Sequence, residues 1–179
     1  MKTPILETDR ILLRTMKSSD AKAVFNNWAT DIDVVKYLRW NIHQSINTTI
    51  DWLTYEEGNV ESDYSYQWVF VHKEYNEVFG SGGFSYDEER QMFELGYAIM
   101  KRYWNQGLAT EAVKVMVDFA VNTLNQTGIF AISSKENPAS AKVLEKAGFI
   151  YCKDGEYSSF DGKRVFHSKE YLFDTNARV

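Results

Sequence analysis

Hydrophobic and polar residues follow two different periods along the chain, and the change from one to the other separates predicted strands from predicted helices. Short runs of aliphatic and aromatic residues predict strands, and polar breaks or glycines separate these runs. The predicted strands cover residues 11–14, 66–71, 78–86, 92–100, 129–132, 149–152 and 166–173. The three central runs follow each other closely, so they predict an antiparallel meander.

Amphipathic segments predict the helices. The first begins after Asp20, which we expect to be its N-cap, and the second begins after Ser45. A third, longer helix is predicted directly after Gly107, where apolar residues recur at spacings of three and four. A fourth has Asn137 as its N-cap, a proline in its first turn and Gly148 as its stop signal.

The order of these elements is strand, two helices, three strands, helix, strand, helix and two strands. It predicts an α/β (α+β) domain in which a mixed, mostly antiparallel twisted sheet of about seven strands is flanked by helices. A strand–helix–strand crossover lies in the second half. Residues 1–179 contain no internal repeat, low-complexity tract or linker-like segment, so we expect a single domain.

Composition narrows the functional classes. The net charge of −5 disfavours a sequence-independent nucleic-acid binding protein, which needs a basic face. No apolar run approaches the roughly 20 residues of a membrane helix. The first residues also lack the apolar core of a signal peptide, so we expect a cytoplasmic protein that binds no membrane.

Cysteine and histidine give little support for metal or thiol chemistry. The single cysteine, Cys152, excludes a disulfide framework, and its apolar neighbours on a predicted strand favour a buried, inert thiol. His43, His72 and His167 have no ligand spacing between them, so we predict no metal site.

Residues 94–112 give the clearest indication of chemistry. A predicted strand ends there in a short loop, which contains Gly107 and leads directly into the long helix. Amides at a helix start lack internal partners, and the helix dipole adds partial positive charge, so such a loop suits a phosphate or pyrophosphate. An ordinary tight turn explains Gly107 equally well, and the segment is neither a Walker A loop nor a dinucleotide fingerprint.

Four segments together resemble the GNAT superfamily of acyl-CoA-dependent N-acetyltransferases: ELGYAI (94–99), YWNQGLATEA (103–112), NPAS (137–140) and EKAGF (145–149). The opening LETDRILLR is similar to the branch named for ribosomal-protein N-terminal alanine and serine acetyltransferases. The resemblance extends over residues 6–173. It implies a GNAT-like fold in which two neighbouring central strands splay apart to hold acyl-CoA.

The resemblance also implies how acetyl-CoA is bound. Main-chain amides would bind its pyrophosphate at Asn105, Gln106, Gly107, Leu108, Ala109 and Thr110. Its pantetheine arm would lie along Leu95, Gly96, Tyr97, Ala98 and Ile99, and its thiol end would face Asn137. The chain departs from the family where the loop usually begins with Gln or Arg followed by Gly, because it has Trp104 and Asn105 there.

Acetylation of an amine needs a group that removes a proton from the amine and a proton source for the leaving thiolate. We expect Glu94, where this branch often carries an acid, to be the catalytic carboxylate, the alternative being an exposed glutamate at a strand end. Many members carry a tyrosine as general acid where this chain has Leu144, and the branch suggests Ser140 instead. A first-turn serine bonded to the local backbone is the alternative for Ser140.

These residues predict an acetyl-CoA-dependent N-acetyltransferase in which a primary amine attacks the thioester directly in a ternary complex, since no activated nucleophile is visible. The leading acceptor is the α-amine of a protein or peptide N-terminus. A small amine, such as a polyamine, an antibiotic or an amino-acid derivative, is the alternative. A non-catalytic acyl-CoA-binding module is the rival function. Trp40 and His43 are candidates for acceptor contacts, and the protein is expected to be a monomer or a homodimer.

Overall fold

An eight-stranded sheet organises the computed structural model of the protein, in which residues 1–177 are described. The strands are β1 (Leu6–Glu7), β2 (Ile11–Thr15), β3 (Ser65–His72), β4 (Glu77–Asp87), β5 (Met92–Ile99), β6 (Gly128–Ser134), β7 (Ile150–Ser158) and β8 (Val165–Asp174). They lie side by side in the order β1-β2-β3-β4-β5-β6-β8-β7. The predicted fold class is confirmed; the strand that the pattern missed, β1, is too short to show a period.

The helices cover both faces of this sheet. They are α1 (Ala21–Val24), α2 (Ile32–Val35), α3 (Ile46–Gly58), α4 (Leu108–Asn122) and α5 (Pro138–Lys146). Residues of α4 and α5 pack with Leu95 of β5 in one buried cluster, and residues of α1 and α3 pack with Ala98 in another. The alternation of side chains along a strand therefore divides β5 between two cores.

The strands β5 and β6 are parallel, whereas the other neighbouring pairs in the described sheet are antiparallel. Their pairing begins at Phe93 opposite Ile129 and ends at Leu95 opposite Ala131. Both strands continue beyond that point without pairing to each other. The expected opening between two central strands thus lies beyond Leu95.

The first helix differs from its prediction in two ways. It begins after Asp20, but the carboxylate of Asp20 does not cap it; instead it accepts hydrogen bonds from the Arg14 guanidinium and the Lys17 amide. After α1 the chain widens into a π-helical segment, Phe25–Ala29. The charged Arg14 guanidinium and the nearby Lys17 amide bind the Asp20 carboxylate more strongly than the amides at the start of a short helix would.

The prediction for Cys152 is wrong, because its side chain is exposed. It lies in β7, which forms the edge of the sheet, and the register of β7 against β8 shifts at this residue. The apolar neighbours of Cys152 are exposed as well: Ile150 by 59% and Tyr151 by 48%. Periodicity alone does not distinguish an edge strand from a central one.

Candidate active site

The loop between β5 and α4 presents unpaired main-chain donors. Asn105 and Gly107 both have a left-handed backbone, with φ of 61° and 80°. Within residues 1–177, no group accepts a hydrogen bond from the amides of residues 105–110. The dipole of the fifteen-residue helix α4 adds partial positive charge at the same place. The loop therefore has the donors and the charge that a pyrophosphate needs.

The side chain of Arg10 holds this loop from outside. Its Nη1 donates to the carbonyl of Gln106 at 3.1 Å, and its Nε and Nη2 donate to the Glu111 carboxylate at 2.8 and 2.5 Å. The hydroxyl of Thr8 donates to the same carboxylate at 2.5 Å. Burial alone would raise the pKa of Glu111, but the bonds from Thr8 and Arg10 and the charge of Arg10 outweigh it, and the pKa lies below its usual value.

Sequence reasoning missed this role of Arg10, which lies 96 positions before Gln106. The only signal for it was the likeness of LETDRILLR to one branch of the family. The contact explains why an opening segment so far from the loop belongs to the same pattern.

The predicted pantetheine strand has an open place in its middle. Leu95, Ala98 and Ile99 are buried, whereas Gly96 is exposed, and a Cβ added to Gly96 would find nothing within 4 Å. The edge of β5 beyond Leu95 has no ladder partner on the β6 side among the described residues. Backbone groups of this strand are therefore available to a ligand between the two strands.

Asn137, Ser140 and Tyr97 meet beside this opening. The side-chain oxygen of Asn137 accepts a hydrogen bond from the Ser140 amide at 3.2 Å, so Asn137 caps α5 as predicted. The hydroxyl of Tyr97 lies 3.0 Å from Ser140 Oγ and donates to the Ser140 carbonyl at 3.3 Å. Burial raises the pKa of Tyr97, which keeps its hydroxyl neutral. Tyr97 thus contributes a polar group, where sequence reasoning had considered only its backbone.

Glu94 lies in a cluster with two residues that the sequence did not single out, Arg39 and Tyr157. Its carboxylate accepts a hydrogen bond from Arg39 Nη2 at 3.2 Å, and its side chain is 28% exposed. The guanidinium of Arg39 lies 5.1 Å from the centre of the Tyr157 ring. Burial raises the pKa of Tyr157 to about 12, so its hydroxyl is neutral, and it donates to the Tyr37 carbonyl at 2.6 Å. Glu94 is therefore not a fully solvated strand-end glutamate.

The segment of residues 36–41, which carries Arg39, is bonded to the hairpin formed by β7 and β8. The guanidinium of Arg164 donates to the carbonyls of Lys36, Leu38 and Trp40 at 3.3, 3.1 and 2.9 Å. The amide of Phe160 donates to the carbonyl of Arg39 at 2.7 Å. These bonds to main-chain carbonyls fix the path of segment 36–41 whatever its side chains are.

The ring of Trp40 packs against that of His43, and His43 is buried. The ring centres of Trp40 and His43 are 5.1 Å apart, and Trp52 lies 6.2 Å from each. His43 Nδ1 lies 2.7 Å from the Thr49 hydroxyl, and burial lowers the pKa of His43. His43 therefore belongs to a packed aromatic cluster with Trp40 and Trp52, and Trp40 directly follows Arg39 in the chain.

Among the described residues, no group of three or more histidine, cysteine, aspartate or glutamate side chains is arranged to hold a metal ion. None of the helices in that part of the chain is long and apolar enough to cross a membrane.

Residues 10–150 match the family described as acetyltransferase (GNAT) domain. The chain therefore belongs to the GNAT acetyltransferase family, and it is an N-acetyltransferase. One curated relative, the uncharacterized N-acetyltransferase YoaA of Bacillus subtilis, is 29% identical over 147 residues, which cover 82% of each chain. The family suggested by the sequence motifs is confirmed.

Among solved structures with the same fold, some are named for a protein acceptor and others for a small amine. The ribosomal-protein-S5-alanine acetyltransferase from Vibrio fischeri has a TM-score of 0.81 at 20% identity, with 97% of each chain covered. The spermidine N-acetyltransferase from Vibrio cholerae, solved with CoA and spermine, has a TM-score of 0.76 at 15% identity, with 94% of this chain and 98% of that chain covered. These likenesses confirm the predicted fold; the first also bears the name of the branch that the opening segment resembles.

Proposed function

We propose that the protein transfers an acetyl group from acetyl-CoA to a primary amine by direct attack in a ternary complex. The observation that carries this proposal is the loop of residues 105–110, whose unpaired amides lie at the start of α4, the long helix after β5, which has lost its pairing to β6 beyond Leu95. A folded chain that leaves such donors without partners is suited to an anion, and the pyrophosphate of CoA is an anion of the right kind.

The proposed binding of acetyl-CoA uses three parts of the chain. The amides of residues 105–110 bind the pyrophosphate, the free edge of β5 from Leu95 to Ile99 binds the pantetheine arm, and Asn137 lies at the thiol end. The open edge and the exposed Gly96 leave room beside the strand. When bound, acetyl-CoA supplies the activated acetyl group.

Glu94 is the proposed acceptor of the proton from the attacking amine. Alkyl amines are mostly protonated at neutral pH, so the site needs a carboxylate that takes this proton directly or through water. Glu94 is half-buried, two residues before the exposed Gly96 on the same face of β5. Its bond to Arg39 fixes one carboxylate oxygen, and the other oxygen stays available.

Ser140 is the proposed hydrogen-bond donor to the leaving sulfur. Its oxygen lies 3.0 Å from the neutral hydroxyl of Tyr97, whose one proton can go either to the Ser140 carbonyl or to Ser140 Oγ. In the proposed arrangement it goes to Oγ, which leaves the Ser140 proton for the sulfur. Asn137 holds the backbone of the same turn. In this arrangement Tyr97 positions Ser140, and Ser140 faces the thiol.

The α-amine of a protein or peptide N-terminus is the leading acceptor, supported by the likeness to the alanine acetyltransferase fold. A small amine is the alternative, supported by the likeness to the spermidine acetyltransferase fold. A non-catalytic acyl-CoA-binding module would use the loop, but it would not need Glu94 or Ser140.

Release of free thiol from acetyl-CoA tests the proposal. The panel contains peptides with varied N-termini, polyamines, aminoglycosides and amino acids, with a no-amine control and a parallel measurement of acetyl-CoA binding. We expect turnover above the control on one acceptor class. Binding without turnover on any amine would favour the non-catalytic module, and absence of binding would overturn the proposal.

A further inference from the structure

The guanidinium of Arg39 has donors that the protein itself does not use. Its Nη2 donates to Glu94 at 3.2 Å, but within residues 1–177 its Nε and Nη1 find no hydrogen-bond acceptor. The side chain is 32% exposed, so these donors reach solvent beside the Glu94 carboxylate. A planar guanidinium with two free N–H groups is suited to a carboxylate, which can accept two parallel hydrogen bonds.

Two other arginines near this face are already occupied. Arg164 donates to main-chain carbonyls, as described above. Arg90 donates to Glu170 at 2.7 Å, lies 3.8 Å from Asp87 and covers the ring of Phe130. Arg164 Nε also lacks a partner among the described residues, but it is buried. Arg90 is paired with two carboxylates, whereas Arg39 pairs with Glu94 alone in residues 1–177 and keeps partly exposed donors beside it.

Arg39 is also held in place before any ligand arrives. Its carbonyl accepts the Phe160 amide, the carbonyls on either side accept Arg164, and its guanidinium covers the Tyr157 ring. A long, flexible side chain that only needed to neutralise Glu94 would not require such support. Preorganisation of this kind reduces the entropy lost on binding and favours a specific ligand.

We propose that the acceptor carries a carboxylate a few bonds from the amine that is acetylated, and that Arg39 binds this carboxylate while Glu94 receives the amine. The inference rests on the proposed role of Glu94. In an α-amino acid the ammonium and carboxylate groups are attached to one carbon, and the carboxylate of Glu94 and the guanidinium of Arg39 are likewise in direct contact. A polyamine would instead bring a second positive charge towards Arg39.

The acceptor carboxylate has two possible sources. It is the main-chain carboxylate of a free amino acid, or it is the side chain of an aspartate or glutamate at the second position of a peptide. The recognition chemistry is the same in both cases, so separate arms of one experiment distinguish them.

Matched acceptors in a thiol-release assay test the proposal. One arm compares a free amino acid with its carboxamide, and the other compares C-terminally blocked peptides with Asp or Asn at position two. The readout is the ratio of kcat/KM for the carboxylate over the amide member, compared between the natural protein and Arg39→Gln. Comparing the ratios removes the different basicity of the two amines, as in a double-mutant cycle.

We expect the ratio to fall at least about tenfold in Arg39→Gln in one arm, because a charge-assisted hydrogen-bonded pair is lost. Arg39→Lys should keep part of the preference. Lys22→Gln removes the same charge from an exposed position on α1 and should leave the ratio unchanged. A general loss of folding or of Glu94 function would lower both members together and leave the ratio as it was.

An unchanged ratio in both arms overturns the inference, while turnover on either member keeps the proposed function. Acetylation of polyamines with no reaction of either carboxylate acceptor overturns the inference in the same way. Absence of thiol release with every amine overturns the proposed function, and the inference with it.

Discussion

The loop of residues 105–110 lies on the cofactor side of the proposed site, and segment 36–41 lies on its acceptor side. The two regions offer different kinds of binding group. The loop is contiguous in sequence and offers main-chain amides. Segment 36–41 offers the side chain of Arg39, and its path is fixed by Arg164 from the last strand pair. One side depends on backbone shape, and the other on distant side chains.

This difference determines which substitutions each side tolerates. A site made of amides keeps its donors when side chains change, which explains how Trp104 and Asn105 can depart from the family pattern while the loop still presents free amides. A site made of a positioned side chain has no such tolerance. Its geometry depends on the residue itself and on every residue that holds its backbone.

The largest effect is expected from Gly107→Glu. The new side chain needs a left-handed backbone at φ 80°, which costs about 1–2 kcal/mol, and it brings a negative charge to the anion site. We expect the affinity for CoA, measured by calorimetry, to fall at least about a hundredfold. Gly162→Glu is the matched control, since Gly162 has φ 70° with open space around it and lies in the β7–β8 hairpin. If Gly107→Glu folds and binds CoA normally, the cofactor side is misplaced.

Glu94→Gln should separate chemistry from cofactor binding. It keeps the size of the side chain but removes the proton acceptor, so kcat should fall at least about tenfold with the affinity for CoA unchanged. Glu89→Gln, an exposed glutamate in the turn before β5, is the control for the loss of charge. Turnover that stays at the natural level would remove Glu94 from the mechanism.

Arg164→Met tests whether the acceptor side depends on distant support. The carbonyls of Lys36, Leu38 and Trp40 lose their donors, which should lower the free energy of unfolding by about 1–3 kcal/mol in urea titrations. We expect KM for the acceptor to rise about fivefold or more, while the affinity for CoA stays the same. Arg164→Lys should keep part of the free energy of unfolding and part of the affinity for the acceptor that Arg164→Met loses. If Arg164→Met weakened CoA binding as much as acceptor binding, the cofactor side and the acceptor side would not be independent.

The smallest effect concerns the contact between Arg10 and Glu111. Because the folded state lowers the pKa of Glu111, the ionised carboxylate stabilises the fold above its ordinary value of 4.5, and this contribution is lost as pH falls below that value. The natural protein should exceed Glu111→Gln by a few tenths of a kcal/mol at neutral pH. Unfolding measured from pH 7 to pH 3 should show this advantage shrinking. Glu61→Gln, at an exposed site, is the control for the loss of one carboxylate charge.

Features that depend on neighbouring residues could be predicted from the sequence. The glycine before α4, the Asn137 cap of α5 and the turn between β3 and β4 all follow from residues within a few positions. The opening between β5 and β6 came from the family resemblance. These features include most of the proposed cofactor side.

The acceptor side could not be predicted in this way. Arg39 and Glu94 are 55 positions apart, and Arg164 is 126 positions from Leu38. No hydrophobic period or local motif predicts such pairs, because the residues come together only when the strands take their order in the folded sheet. The exposure of Cys152 is of the same kind, since it depends on β7 lying at the edge.

The bonds between segment 36–41 and the β7–β8 hairpin also have a consequence for synthesis on the ribosome. Chains emerge from the N-terminal end at about 5–20 residues per second, so segment 36–41 leaves the ribosome many seconds before Arg164 does. A nascent chain can form the turn at Gly107 while its acceptor side still lacks the donors from Phe160 and Arg164. We therefore expect the ability to select an acceptor to be the last property that a newly made molecule acquires.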